Sequence, residues 1–324
     1  METAYRILLI VQAILISFGL TLIVRNYGCR TPIVLWGAVV LGFAESLIGF
    51  LQVIFQGSIG WYLLGEPRLD ILNPEVAKTI VSGGGRFLRA YGTFVHPNVL
   101  GAFLTISILC VIYLFLTPHP TKSNFERRLS LFVGCGVFFF LIMGLVLTFS
   151  RAAWLVSFLM SSFLLFSEWR KNRFSEKLKF LLVTLLTSII FLIPIFYYVI
   201  FSKFHLSASE PAIQFRMNDL KLGWQSIKEN PFFGVGLGQP IYSGQQQPIH
   251  NLYLLIASET GLIGLFLFLL FIFFIIRNSL RQPADRIGVL LLISLLLLGL
   301  FDHYLWTIPA GQLMLWITIF SVVI

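Results

Sequence analysis

The chain has 324 residues, of which 57% are hydrophobic and only 11% charged, with a mean hydropathy of +0.89. A soluble domain carries about 25% charged residues, so this composition excludes an ordinary soluble enzyme. The formal net charge is +9, but the cations punctuate apolar runs and form no patch, which argues against nucleic acid as a partner.

What remains is a polytopic membrane protein. It is read as all-α, because backbone that faces lipid must satisfy its own hydrogen bonds. A spanning helix needs about 20 mostly apolar residues. In chain order the candidate runs are 5–24, 33–55, 98–116, 130–148, 152–167, 180–201, 252–276, 287–301 and 310–324. They predict about nine transmembrane helices in a single integral membrane domain, 1–324. The first run lacks a small-residue cleavage site and is read as a span, not a leader. Cys29, Cys110 and Cys135 lie in or near apolar runs, without metal or pairing spacing, and read as small buried residues.

Cations orient the spans. Arg25 and Arg30, then Lys122, Arg127 and Arg128, then Arg170, Lys171, Arg173, Lys177 and Lys179, and then Arg277, Arg281 and Arg286 crowd one set of short loops. That set is read as cytoplasmic. The long loops 56–97 and 202–251 are therefore extracytoplasmic, as are Arg6 and, on an odd span count, the N-terminus.

The first long loop ends in Gly83-Gly-Gly-Arg86-Phe-Leu-Arg89-Ala-Tyr-Gly92-Thr-Phe-Val-His96-Pro97-Asn98. A helix N-terminus at Asn98 offers backbone donors to an anion, and Arg86 and Arg89 add planar forks. The segment is read as an anionic headgroup site that includes His96. The alternative is structural: glycines for turns, Asn98 as an N-cap and arginines snorkelling to lipid phosphates.

Thr148-Phe-Ser-Arg151-Ala-Ala-Trp154 joins two spans with almost no loop. Arg151 cannot easily escape to bulk water there, and is read as a phosphate or pyrophosphate ligand. The alternative is a tight hairpin with a snorkelling arginine and an interfacial Trp154.

Residues 214–229 have helical periodicity. Phe215, Leu220, Trp224 and Ile227 can share a face, which predicts a helix lying in the membrane interface. Arg216 near its start would, in isolation, be a solvated charge. The following Gly234-Val-Gly-Leu-Gly238 has no preceding strand and reads as a return turn, not a nucleotide loop.

His250-Asn251 opens the next span, and Glu259 lies further along it. Histidine is the side chain best suited to move a proton near neutral pH. Glu259 and Glu45 read as carboxyls paired inside the bundle. Asp302-His303-Tyr-Leu-Trp306 would form a second wall of a site. The spacing of His96, His250, His303 and Asp302 does not suit a metal, and no metal or cofactor is expected. A cation, an imidazole and a carboxylate gathered where a membrane meets water read as a functional site.

Taken together, Arg89-Ala-Tyr-Gly-Thr-Phe-Val-His-Pro-Asn98, Thr148-Phe-Ser-Arg-Ala-Ala-Trp154, Arg216 before Asn230-Pro-Phe-Phe-Gly-Val-Gly-Leu-Gly238, and His250-Asn-Leu-Tyr253 with Glu259-Thr-Gly-Leu-Ile-Gly264 resemble the O-antigen ligase and O-antigen polymerase superfamily. The order of the pieces matches, over roughly 86–320. The resemblance implies a GT-C-like, metal-independent membrane glycosyltransferase in the bacterial cytoplasmic (inner) membrane. It implies an undecaprenyl-diphosphate glycan donor used at the extracytoplasmic face. The acceptor would be another glycan, a lipid A core sugar or some other hydroxyl. The family's two active-site arginines and one histidine would fall on Arg151, Arg216 and His250. Arg86, Arg89, His96, Asn98, Glu259, Asp302 and His303 would then contact substrate. About nine spans and a short main loop are a departure from the larger family pattern. The rival reading is a lipid-linked glycan flippase. It predicts charges at the bilayer midplane and internal repeats, whereas only Glu45 and Glu259 lie within the runs.

Overall fold

The computed structural model describes residues 2–26, 32–80, 85–117, 124–171, 179, 181–188, 190, 197, 211–239, 248–281 and 286–323. The chain is mostly helical and divides into two compact units. One is Thr31–His205; the other joins Met1–Arg30 to Leu206–Ile324. Among the described residues, five helices are long and apolar enough to cross a membrane: Thr3–Ile23, Ile33–Phe55, Pro97–Leu116, Arg151–Arg170 and Leu252–Ser279. Val133–Leu147, Arg286–Gly299 and Pro309–Val322 are apolar but shorter. Of the expected span 180–201, residues 181–188 are helical and most of the rest lies outside the described residues. Gly83, Gly84, 202–210 and 240–247 of the two long loops also lie outside them.

The Thr31–His205 unit holds α2 (Pro32–Phe55), α3 (Pro97–Leu116), α4 (Asn124–Leu147) and α5 (Arg151–Lys171). The α3 helix is the centre, buried along most of its length and packed by the other three. Small residues set the contacts among these four helices. A side chain on Gly42 would collide with Ser107, one on Gly144 with Ser46, and one on Gly101 with Ala153. Close backbone approach through small residues is how helices associate where lipid removes the hydrophobic drive. Ser107 Oγ also donates to the Ala38 carbonyl at 2.8 Å. On α5, Leu155, Phe158, Leu159, Phe163 and Phe166 are exposed, an apolar stripe that suits lipid.

The α2–α3 connection is more ordered than a plain loop. It adds a short antiparallel hairpin, β1 (Lys78–Ile80) on β2 (Arg86–Leu88), to the all-α expectation. Lys78 staples the approach, its ammonium donating to the carbonyls of Ile71 at 2.8 Å and Asn73 at 2.7 Å. From α2, buried Gln52 reaches up. Its carbonyl accepts from the amides of Tyr91 and Gly92, and its amide donates to Gly92 O at 2.8 Å and to Glu66 at 3.0 Å. Glu66 is also buried and accepts from the amides of Ile59 at 2.7 Å and Trp61 at 2.6 Å. Burial raises its pKa, but these donors outweigh that and hold it below the ordinary carboxylate value. Glu45, one α2 turn pair away, accepts from both the amide and the hydroxyl of Thr93.

The second unit holds α1 (Glu2–Asn26), α6 (Pro211–Glu229), α7 (Leu252–Ser279), α8 (Arg286–Gly299), α9 (Tyr304–Thr307) and α10 (Pro309–Val323). The α10 helix packs against α1, α7, α8 and α9, and α6 packs on α7.

Candidate active site

The α7 helix opens at Asn251, whose side chain caps it by accepting from the Leu254 amide at 2.9 Å. It breaks at Gly261, where φ is 75° and ψ is 178°. The break frees helical backbone groups that an apolar setting cannot leave unpaired. The run Asn230–Gly238 satisfies them. Val235 N donates to Ser258 O and Gly236 N to Glu259 O, both at 2.9 Å, while Leu262 N donates to Pro231 O at 2.8 Å. Glu259 closes the arrangement: one carboxylate oxygen accepts from Gly238 N at 3.1 Å, the other from the Trp306 indole at 2.8 Å. The glycine-rich run is therefore a plug for a broken helix. A side chain on Gly261 would overlap the Phe232 carbonyl, and one on Gly234 the backbone of Glu259. Gly261→Ala should cost about 3 kcal/mol from combined backbone strain and overlap; a thermal unfolding midpoint in detergent checks it.

On α6, Arg216 and Asp219 are three residues apart and share a face. Asp219 receives His250 twice. The His250 amide donates to Asp219 Oδ2 at 3.2 Å, and His250 Nδ1 lies 2.8 Å from the same oxygen. A carboxylate can only accept, so Nδ1 is the donor, and in the neutral ring this leaves Nε2 with the lone pair. The His250 ring meets His303 edge to face, with centroids 5.2 Å apart. The His303 amide donates to Asp302 Oδ1 at 2.8 Å, and its Nδ1 lies 2.6 Å from Thr307 Oγ1.

Burial pushes the His303 pKa down to about 4, and attraction to buried Asp302 offsets only part of that. His303 is therefore neutral at physiological pH. Its folded value lies below the unfolded one, so between about 4 and about 6.5 the unfolded chain binds more protons. The stability that the neutral ring contributes is present above that window and is lost as pH falls through it. Lowering pH from about 7 to about 4.5 should drop the thermal midpoint of the wild type more than that of His303→Asn.

Arg216 is half-buried, and no described residue forms an ion pair or hydrogen bond with its guanidinium. The expected apolar face of its helix is not the packed one. Ile227 is buried, but Leu220 and Trp224 are exposed, and the Phe215 side chain lies outside the description. The inward face runs Arg216, Asp219, Gly223, Ser226, Ile227. Gly223 sets it, because a side chain there would collide with Leu254 of α7. Asp219 is the residue that sequence reasoning missed.

In the Thr31–His205 unit, Arg89, His96 and Asn98 come together but face each other. Arg89 donates from Nε to the Thr148 carbonyl and from a terminal nitrogen to Asn98 Oδ1, both at 2.7 Å. The expected N-cap at Asn98 is corrected. His96 caps α3, its Nδ1 accepting from the Asn98 amide at 3.1 Å with Pro97 as the first helical residue. Asn98 is displaced from that role because its carboxamide is held by Arg89. Ala90 N donates to Leu147 O at 2.9 Å. Arg89 thus holds the turn that contains left-handed Phe149 and leads into half-buried Arg151, the first residue of α5. Trp154 steadies the same turn through its indole and the Leu145 carbonyl, at 2.9 Å. Arg86 is exposed on β2.

Residues 136–269 match the family model described as O-antigen ligase. That match supports the O-antigen ligase and polymerase family read from the motifs. It covers 134 of the 324 residues and takes in Arg151, Arg216, Asp219, His250 and Glu259. No curated protein matches the chain. With the five apolar helices long enough to span, the match points to a multi-pass membrane protein similar to the O-antigen ligases.

Proposed function

We propose that this protein moves a glycan from an undecaprenyl-diphosphate-linked donor to a hydroxyl acceptor at the extracytoplasmic face of the bacterial cytoplasmic membrane. The observation that carries the reading is the Asp219–His250 pair, 2.8 Å apart, inside the stretch that matches the O-antigen ligase model.

Asp219 fixes the imidazole with Nδ1 protonated, so Nε2 is the base. As the acceptor oxygen attacks the anomeric carbon, the bond from that carbon to the diphosphate breaks. The hydroxyl proton goes to His250 Nε2, and the bonding electrons leave with the diphosphate. Negative charge then grows on the leaving group, and fixed guanidinium donors stabilise growing charge better than mobile water does. Arg216, which sits one helical turn from Asp219, takes that role, and the resemblance read from the motifs gives Arg151 as a second diphosphate ligand. Attack opposite the leaving group inverts the anomeric centre. Arg89, with Asn98 and His96 beside it, contributes by holding the turn before Arg151, a positioning role in addition to the substrate contact expected of these residues. Glu259 anchors the plug, and neutral His303 forms an uncharged wall beside the base.

Asp219→Asn tests the reading. Asparagine keeps the shape but can present an N–H to the ring and favour the other tautomer. Its turnover should fall about 10²-fold or more while donor binding is retained. An Asp219→Asn protein with wild-type turnover would remove the pair from the mechanism.

A further inference from the structure

Arg6 stands in α1, an otherwise apolar helix whose neighbouring Tyr5, Ile7 and Leu8 are exposed. A lone arginine at a span's end ordinarily snorkels, with its stem on apolar surface and its guanidinium in water. Arg6 is half-buried, and one nitrogen of its fork is kept from the surface. Its Nη1 is buried and has no hydrogen-bond partner among the described residues. Its stem lies against Gly238, where an added Cβ would come within 2.7 Å of Arg6 Cγ and 3.3 Å of Nε. A second tie fixes the helix there, as Gln239 Nε2 donates to Thr3 Oγ1 at 2.8 Å.

The guanidinium is within electrostatic reach of Glu259 and His303. It is not consumed by them. The Glu259 oxygens are taken by Gly238 N and the Trp306 indole, and His303 Nδ1 is taken by Thr307. A buried charged donor without a partner is among the most costly arrangements a fold can hold. A phosphate oxygen would relieve it, since a guanidinium fork matches phosphate geometry.

We propose that Arg6 binds a non-bridging phosphate oxygen of the lipid-linked diphosphate donor, beside Glu259 and His303. The inference rests on the donor reading above. It makes Arg6 a binding residue in addition to Arg216, contributed by the helix that the motifs leave out.

The test uses full-length protein in nanodiscs of zwitterionic lipid, with undecaprenyl diphosphate as the probe. Dissociation constants and ligand-free thermal midpoints are measured for wild type, Arg6→Met and Arg6→Lys. Arg6→Met should weaken diphosphate binding about tenfold or more, with a ligand-free midpoint equal to or above that of wild type. Arg6→Lys should fall between the two, and supplies the comparison if Arg6→Met does not fold. Phosphatidylglycerol should compete weakly, with no dependence on residue 6. Wild-type affinity in both variants would overturn the assignment of Arg6 alone. So would a lowered ligand-free midpoint with unchanged affinity, which marks a structural arginine. Equal dependence on Arg6 for phosphatidylglycerol would overturn it in favour of a general headgroup contact. Failure of the wild type to bind undecaprenyl diphosphate would remove the donor reading itself and this inference with it.

Discussion

Replacing His250 with glutamine should lower glycan transfer by about 10²–10⁴-fold, the range over which a single general base acts. Glutamine is close in size and can still donate to Asp219, so the contact with α6 survives while the lone pair at Nε2 does not. The loss should therefore appear in kcat, with donor KM little changed and the thermal midpoint held. Initial rates at saturating donor measure this directly. A glutamine variant with normal kcat would leave the acceptor proton to be taken by some other group. His303 is not a ready substitute: it is buried and neutral, and its Nδ1 is occupied by Thr307.

Arg216→Gln should cost about 10²–10³-fold in kcat, comparable to the removal of one preorganised donor from a site of developing charge. Arg216→Lys should recover little, because a lysine ammonium is a point charge without the planar fork. The two variants separate charge from geometry. If lysine restores full rate, charge alone suffices; if both fail equally in kcat, the fork is needed. Stability should hardly change in either, since no described residue pairs with that guanidinium.

Most of the candidate site was legible in the sequence because its cations and His250 are out of place beside apolar runs. Arg216, His250 and Glu259 announce themselves against such a background. Asp219 does not, since an aspartate on an amphipathic helix looks like any solvated charge. Only its position three residues after Arg216 hinted at the shared face. Arg6 was hidden in the same way, as one cation near the start of a span. The role of Gly234 and Gly261 was not legible either. They are close-packing residues at a helix break, and the break is visible only when two segments distant in sequence are seen paired. Arg86 and Arg89 read as an anion fork beside the helix start at Asn98, and what the sequence did not show is that Arg89 also bonds Asn98 and the Thr148 turn. The hairpin at 78–88 escaped because three-residue strands leave no period to read.

The most direct test of the central claim is transfer by the purified wild-type protein. It would be incubated with an undecaprenyl-diphosphate glycan, candidate hydroxyl acceptors and excess EDTA, and both product and released undecaprenyl diphosphate would be quantified. The account predicts one diphosphate released for each glycan transferred, with EDTA present throughout. No transfer to any acceptor, together with translocation of the intact glycolipid across liposomes, would contradict it and favour a flippase.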